Sequence, residues 1–183
     1  MKTACVLLAD GFEEVEAVTP VDYLRRAGVE VAIVGIAGRS AVGARGIRIE
    51  ADSGHEGMGR DYDCVVVPGG GKGSANLAAS AAATSFIKRH FAAGKIVAAI
   101  CAAPAVVLHG SCGILAGRRF TCFPGLESNV KGASFSEARV VEDGNLITSR
   151  AAGTAGEFAY AIIRALVGKA KADEVAGSVL LKS

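Results

Sequence analysis

The chain has 183 residues, enough for one domain with a full core and no need of metal or disulfide staples. Its 20 lysines and arginines are scattered among 18 acidic residues for a net charge of +2, which leaves no electrostatic footprint for nucleic acid or an anionic membrane. Hydrophobic residues make up 51% of the chain, with 24 glycines and no tryptophan, a profile that favours a tightly packed α/β protein with many sharp turns.

The opening "MKTACVLLAD" reads as a first strand at residues 4–9, since acidic residues follow at once and no A-x-A cleavage pattern is seen. In "ADGFEEVEAVTPVDYLRRAG", Val15, Val18, Val21 and Leu24 recur every three residues and predict a helix with Val15 and Val18 facing inward. Pro20 predicts a kink, or a fresh start at Thr19, and Gly28 a stop. Further nearly all-apolar runs at residues 29–34, 64–67 and 96–100 have the length and composition of strands buried on both faces.

Between them, "SAAATSFIKRHFAAGK" predicts a helix with Phe86, Ile87 and Phe91 on one face, and the "AASAAA" stretch at residues 78–83 is expected to pack as helix. The run "IVAAICAAPAVVL" is the longest apolar segment, but its 13 residues fall short of the roughly 20 of a membrane span. Asp143-Gly144 predicts a hairpin between two branched runs. Thr154 with Glu157 predicts a capping box ahead of a helix carrying Phe158, Ile162 and Leu166. Strands alternating with helices imply a single domain over residues 1–183, a doubly wound, mostly parallel sheet with helices on both faces and the hairpin added to it.

Ligands of such folds bind outside the carboxyl ends of the strands. "ADGFEEVE", "PGGGKGS" and "CAAP" all fall there. Cys101 stands at a strand-to-helix turn, where a helix N-terminus would lower its pKa, or it is an inert core thiol. The glycine run is no P-loop, because Gly73 separates Lys72 from Ser74; it is either a plain turn or a set of bare amides fit for an oxyanion. Glu16, beside the apolar stripe, can point into the strand-end crevice, where burial would raise its pKa.

The three histidines supply no adjacent base. His55 lies in a glycine-rich loop, His90 among solvated helix residues, and His109 a helix length past Cys101. Five cysteines (Cys5, Cys64, Cys101, Cys112, Cys122) are an odd number without C-x-x-C spacing, which speaks against a disulfide framework and a zinc site and for a reducing cytoplasm.

In order and spacing, "ADGFEEVEAVTPVDYLRRAG", "DCVVVPGGGKGSANL", "AAICAAPAVVL" and "ITSRAAGTAGEF" resemble the ThiJ/PfpI superfamily, in the branch that holds the parkinsonism-associated protein deglycase and bacterial chaperone-like members. The resemblance implies a flavodoxin-like sandwich and a cofactor-free, metal-free site. It makes Cys101 the nucleophile and oxidation sensor, Glu16 the acid that shares its proton, and the amides of Gly70 and Ala102 the oxyanion donors.

It also implies a homodimer with Arg26 and Arg45 near the site, and small aldehydes, dicarbonyls such as methylglyoxal, or glycated protein as partners. The rival reading it carries is a redox-sensing, chaperone-like protein whose cysteine oxidises to sulfinate with little turnover. A vestigial site is the blander third reading. Proteolysis, known from another branch, is disfavoured by Ala102, which stands where that branch has histidine. Two departures stand out. Phe123 occupies a position where some members have histidine, which shifts proton transfer onto Glu16, and Ala152 replaces a proline in the pocket wall.

Overall fold

The computed structural model describes residues 1–181. In chain order it runs β1 (Thr3–Leu8), α1 (Glu14–Arg26), β2 (Glu30–Gly35), β3 (Ser40–Val42), β4 (Arg48–Glu50), β5 (Cys64–Val67), α2 (Gly71–Ala79), α3 (Ala81–Ala92) and β6 (Ile96–Ile100). A π-helical turn, Pro104–His109, follows, then β7 (Arg119–Phe120), β8 (Ser134–Phe135), β9 (Val140–Asp143), β10 (Leu146–Ser149), α4 (Ala155–Val167) and α5 (Lys169–Ser178).

Six strands form the main sheet in the order β2-β1-β5-β6-β10-β9, parallel throughout except for β9 on β10. The all-apolar strands serve two cores at once. Cys5 and Leu7 of β1 pack with Val65, Val67 and the α2–α3 residues Leu77, Phe86 and Ile87. Ala4, Val6 and Leu8, alternating with them, pack with Val66, Leu24 of α1, and Phe158 and Ile162 of α4. Helices therefore cover both faces, as the sequence predicts. The Asp143-Gly144 hairpin also forms, but β10 is an inner strand of the sheet rather than an appendage, with its Leu146 opposite Val97 of β6.

Four local expectations fail. In α1 the buried residues are Glu14, Glu16, Ala17, Pro20 and Leu24, whereas Val15 and Val18 are about half exposed, at 48% and 49%. The three-residue spacing holds only for part of the helix: Leu24 is buried, but in the first turns Glu14, Glu16 and Ala17 face inward in place of Val15 and Val18. The helix also continues unbroken through Pro20. The 78–83 stretch is not one helix: Ser80 ends α2 and caps α3, its hydroxyl accepting the Ala83 amide at 3.2 Å. Finally, no capping box forms on α4. Thr154 Oγ1 turns back to the Ala151 amide at 3.1 Å, and Glu157 pairs with Arg139.

His90 is buried rather than solvated. Its Nε2 accepts the Tyr62 amide at 3.0 Å and its Nδ1 lies 2.9 Å from the Phe86 carbonyl, so both ring nitrogens are spent inside the α3 core. The β3–β4 and β7–β8 ribbons and α5 have no counterpart in the sequence reading. No described helix is long and apolar enough to cross a membrane.

Candidate active site

Strands β1, β5 and β6 lie side by side and parallel, so their carboxyl ends open on one edge of the sheet. Just past β6 the backbone reverses at Cys101, which adopts φ +64°. A side chain in that left-handed region costs roughly 1–2 kcal/mol. The strain is held from both sides. The Cys101 amide donates to the Ser149 carbonyl at the end of β10 (3.0 Å), and its carbonyl accepts the Phe123 amide (2.8 Å). The turn lifts the thiol out of the strand, and Cys101 is the one half-buried cysteine among five, the other four being buried.

Glu16 reaches the same point from α1. The carboxyl is fully buried, and its Oε2 accepts the Gly69 amide at 2.9 Å. Its other oxygen, Oε1, is buried without a hydrogen-bond partner, and the Cys101 side chain stands next to the carboxyl across Gly69. Burial lifts its pKa from 4.5 to about 7, tempered by the thiol and by the Gly69 amide.

Gly69 and Gly70 make that approach possible. A Cβ on Gly69 would lie 2.5 Å from Glu16 Oε2 and 2.6 Å from Cys101 Cβ, between acid and thiol. Gly70 has φ +85°, and a Cβ there would meet the Gly11 carbonyl at 2.3 Å. With both positions bare, the amides of Gly70 and Ala102 point at the Cys101 sulfur.

The sequence expectation of a thiol lowered by a helix N-terminus is not met. Burial, and then the charge of Glu16, push the thiol up to about 12, against the pull of the Gly70 and Ala102 amides. Two adjacent negative charges are thus disfavoured, so once the first proton leaves near pH 7 the pair keeps the second. When Glu16 carries it, the opposing charge is gone and both amides remain to stabilise the thiolate. Burial first, and the Glu16 charge second, hold the proton on the sulfur.

The expected site residues therefore divide. Cys101, Glu16, Gly70 and Ala102 converge. Arg45 borders them: its guanidinium lies 4.0 Å from Glu13, and its amide donates to Glu14 Oε1 at 2.7 Å. Arg26 does not join them. It pairs with Asp22 in the last turn of α1, ten residues and about 15 Å of helix beyond Glu16. Ala152 lies in the turn directly after β10, past the Ser149 carbonyl that holds the Cys101 amide. Glu14, which reads in the sequence as part of a solvated helix start, is instead buried, and its Oε1 accepts the Arg45 and Ile47 amides and so fastens the start of α1. Among the described residues, no three His, Cys, Asp or Glu side chains gather as a metal set.

Residues 2–165 match the profile of the DJ-1/PfpI family. The chain belongs to this family. It is 41% identical over 187 residues to the Parkinson disease protein 7 homolog of Danio rerio, an alignment spanning 99% of this chain and 98% of that protein. A Pyrococcus abyssi protein named as a deglycase is 34% identical over 151 residues, 81% of this chain and 89% of its own. Among solved structures, a cysteine-to-alanine mutant of a DJ-1 superfamily protein from Salmonella typhimurium superimposes with a TM-score of 0.96 at 41% identity, covering 100% of both chains. The DJ-1/PfpI assignment accounts for the mostly parallel sheet with helices on both faces and for the near end-to-end match of the chain.

Proposed function

We propose that this DJ-1/PfpI protein is a cofactor-free, cysteine-dependent enzyme acting on reactive dicarbonyls, or on their early adducts with amines and thiols, in the cytoplasm. The observation that carries the reading is the buried Glu16 carboxyl set beside Cys101 across the bare Gly69, at an elbow where Cys101 adopts φ +64°. The deglycase name of the Pyrococcus abyssi relative agrees with it.

With methylglyoxal, the thiolate attacks the aldehyde carbon, forming a C–S bond, and the carbonyl electrons move to oxygen. The amides of Gly70 and Ala102 lie beside that carbon and receive the oxyanion. The oxyanion takes the proton held by Glu16 and becomes the hydroxyl of a hemithioacetal. Glu16, now ionised, removes the hydrogen from the former aldehyde carbon and returns a proton to the adjacent carbon, while the hydroxyl proton passes to the former ketone oxygen, converting the hemithioacetal into a lactoyl thioester. Water then cleaves the thioester to lactate and regenerates the thiol. One water is consumed and no net oxidation occurs. A carboxyl with a pKa near 7 suits both proton transfers, because it exchanges its proton readily at neutral pH.

The test is lactate formation from methylglyoxal without glutathione. Cys101→Ala is expected to abolish it, and Glu16→Ala to reduce it by about 100-fold or more, within the usual range of general acid-base catalysis. Wild-type rates in either variant would sink the mechanism. A second reading, a redox sensor whose cysteine oxidises to sulfinate, draws support from the exposure of Cys101 while Cys5, Cys64, Cys112 and Cys122 are buried.

A further inference from the structure

Past β7, residues 121–123 continue without regular structure beside the site. Phe120 and Cys122 both belong to the core shared with α2 and α3. Thr121, between them, has its amide on Thr148 Oγ1 at 2.9 Å, on inner strand β10. With side chains alternating along an extended segment, Phe123 faces away from the core that takes Cys122.

The main chain fixes where this ring begins. The Phe123 amide donates to the Cys101 carbonyl at 2.8 Å, and its carbonyl accepts the Leu126 amide at 3.2 Å. The ring joins neither core and is 45% exposed, the one aromatic among the exposed large hydrophobic residues described. A lone exposed apolar residue needs no explanation. This one is different, because its backbone is bonded to the residue that carries the reactive sulfur.

Phenylalanine has no proton to give, so the contribution of such a ring is to binding. We propose that Phe123 is a specificity-determining residue, forming an apolar wall beside Cys101 that favours dicarbonyls with an aryl or large apolar substituent over methyl-substituted ones. The inference rests on the dicarbonyl reading above and names the substrate class for that site. Stacking against an aromatic ring, added to the burial of apolar area, corresponds to about tenfold in specificity.

Two pairs of probes test it. In turnover, kcat/KM is measured for phenylglyoxal, giving mandelate, and for methylglyoxal, giving lactate, with wild type, Phe123→Ala and Phe123→Leu. The expected result is that the aryl-to-methyl ratio falls about tenfold in Phe123→Ala and less in Phe123→Leu, with no shift of the pH profile. An unchanged ratio, or equal losses on both substrates, would overturn the proposal.

In parallel, Cys101 is alkylated with phenacyl bromide or bromoacetone, each rate being divided by that of a free model thiol. Sulfur displaces bromide in both cases, so the ratio reports on the pocket without any turnover. If wild type turns over neither dicarbonyl, the dicarbonyl reading fails by itself and this ratio decides the fate of Phe123. A fall in Phe123→Ala supports the apolar wall; no change removes it.

Discussion

A carboxylic acid shut away from water keeps its proton to higher pH, and folding feels the consequence. Glu16 shifts from 4.5 to about 7, because burial outweighs the Gly69 amide and the Cys101 thiol. Between those two pH values the folded chain keeps a proton that the unfolded chain has lost. This contribution to stability is therefore most favourable below about pH 4 and falls as pH rises through the window, a penalty of roughly 3 kcal/mol once pH exceeds 7. Glu16→Gln, which cannot ionise, is expected to flatten that slope and to be more stable than wild type at pH 8. Urea midpoints at pH 5 and pH 8 check this, and an unchanged slope in the variant would show that Glu16 is not the group responsible. At this scale the residues alone left Cys101 open between nucleophile and core thiol, and it was the family resemblance that singled out Cys101 and Glu16. The reason for the burial of Glu16 was not legible, since the apolar spacing turns Val15 and Val18 inward, whereas Glu14, Glu16 and Ala17 are the residues buried there.

Elements meet at the site through their ends, and the ends are where sequence patterns misled. Thr154 and Glu157 have the spacing of a capping box, which predicts that both stabilise the start of α4. Instead, Thr154 Oγ1 bonds to Ser149 Oγ at 2.7 Å and to the Ala151 amide, tying the helix to the strand whose last carbonyl holds the Cys101 amide. Glu157 makes only a half-exposed pair with Arg139. Thr154→Ala is expected to cost about 1–2 kcal/mol and to slow alkylation of Cys101, because it removes buried hydrogen bonds. Glu157→Ala is expected to cost no more than about 0.5 kcal/mol. Equal losses in the two variants, read from denaturant unfolding, would favour the capping box after all. The spacing was correct and the partner was not, because a buried hydroxyl that reaches both Ser149 Oγ and the Ala151 amide has better bonds than a box offers.

Across the whole molecule, the sheet was the most legible part. All-apolar runs at residues 64–67 and 96–100 can only be strands buried on both faces, and their parallel order follows from the helices between them. The short ribbons escaped because two or three residues carry too little periodicity to read. Val15 and Val18 on α1, together with Ile47 in the β3–β4 turn, leave an apolar face open beside a groove lined by Val21, Ile33 and Ile49. We propose that two copies join there as a homodimer. Light scattering should give twice the 18.5 kDa chain mass, and Val18→Asp should return a folded protein of single mass. A wild-type protein of single mass at micromolar concentration would remove the proposal.

The left-handed backbone at Cys101 carries one more implication. For a molecule that had only to persist, glycine would be the more comfortable residue there, easier than alanine by roughly 1 kcal/mol. On the proposed mechanism a replacement that removes the thiol ends the chemistry, and glycine, the one that relaxes the chain, is such a replacement. Durability and reactivity thus pull in opposite directions at a single position. In directed evolution, a screen for thermal tolerance alone would drift toward an inert fold, so any such screen needs a thiol-dependent readout alongside it.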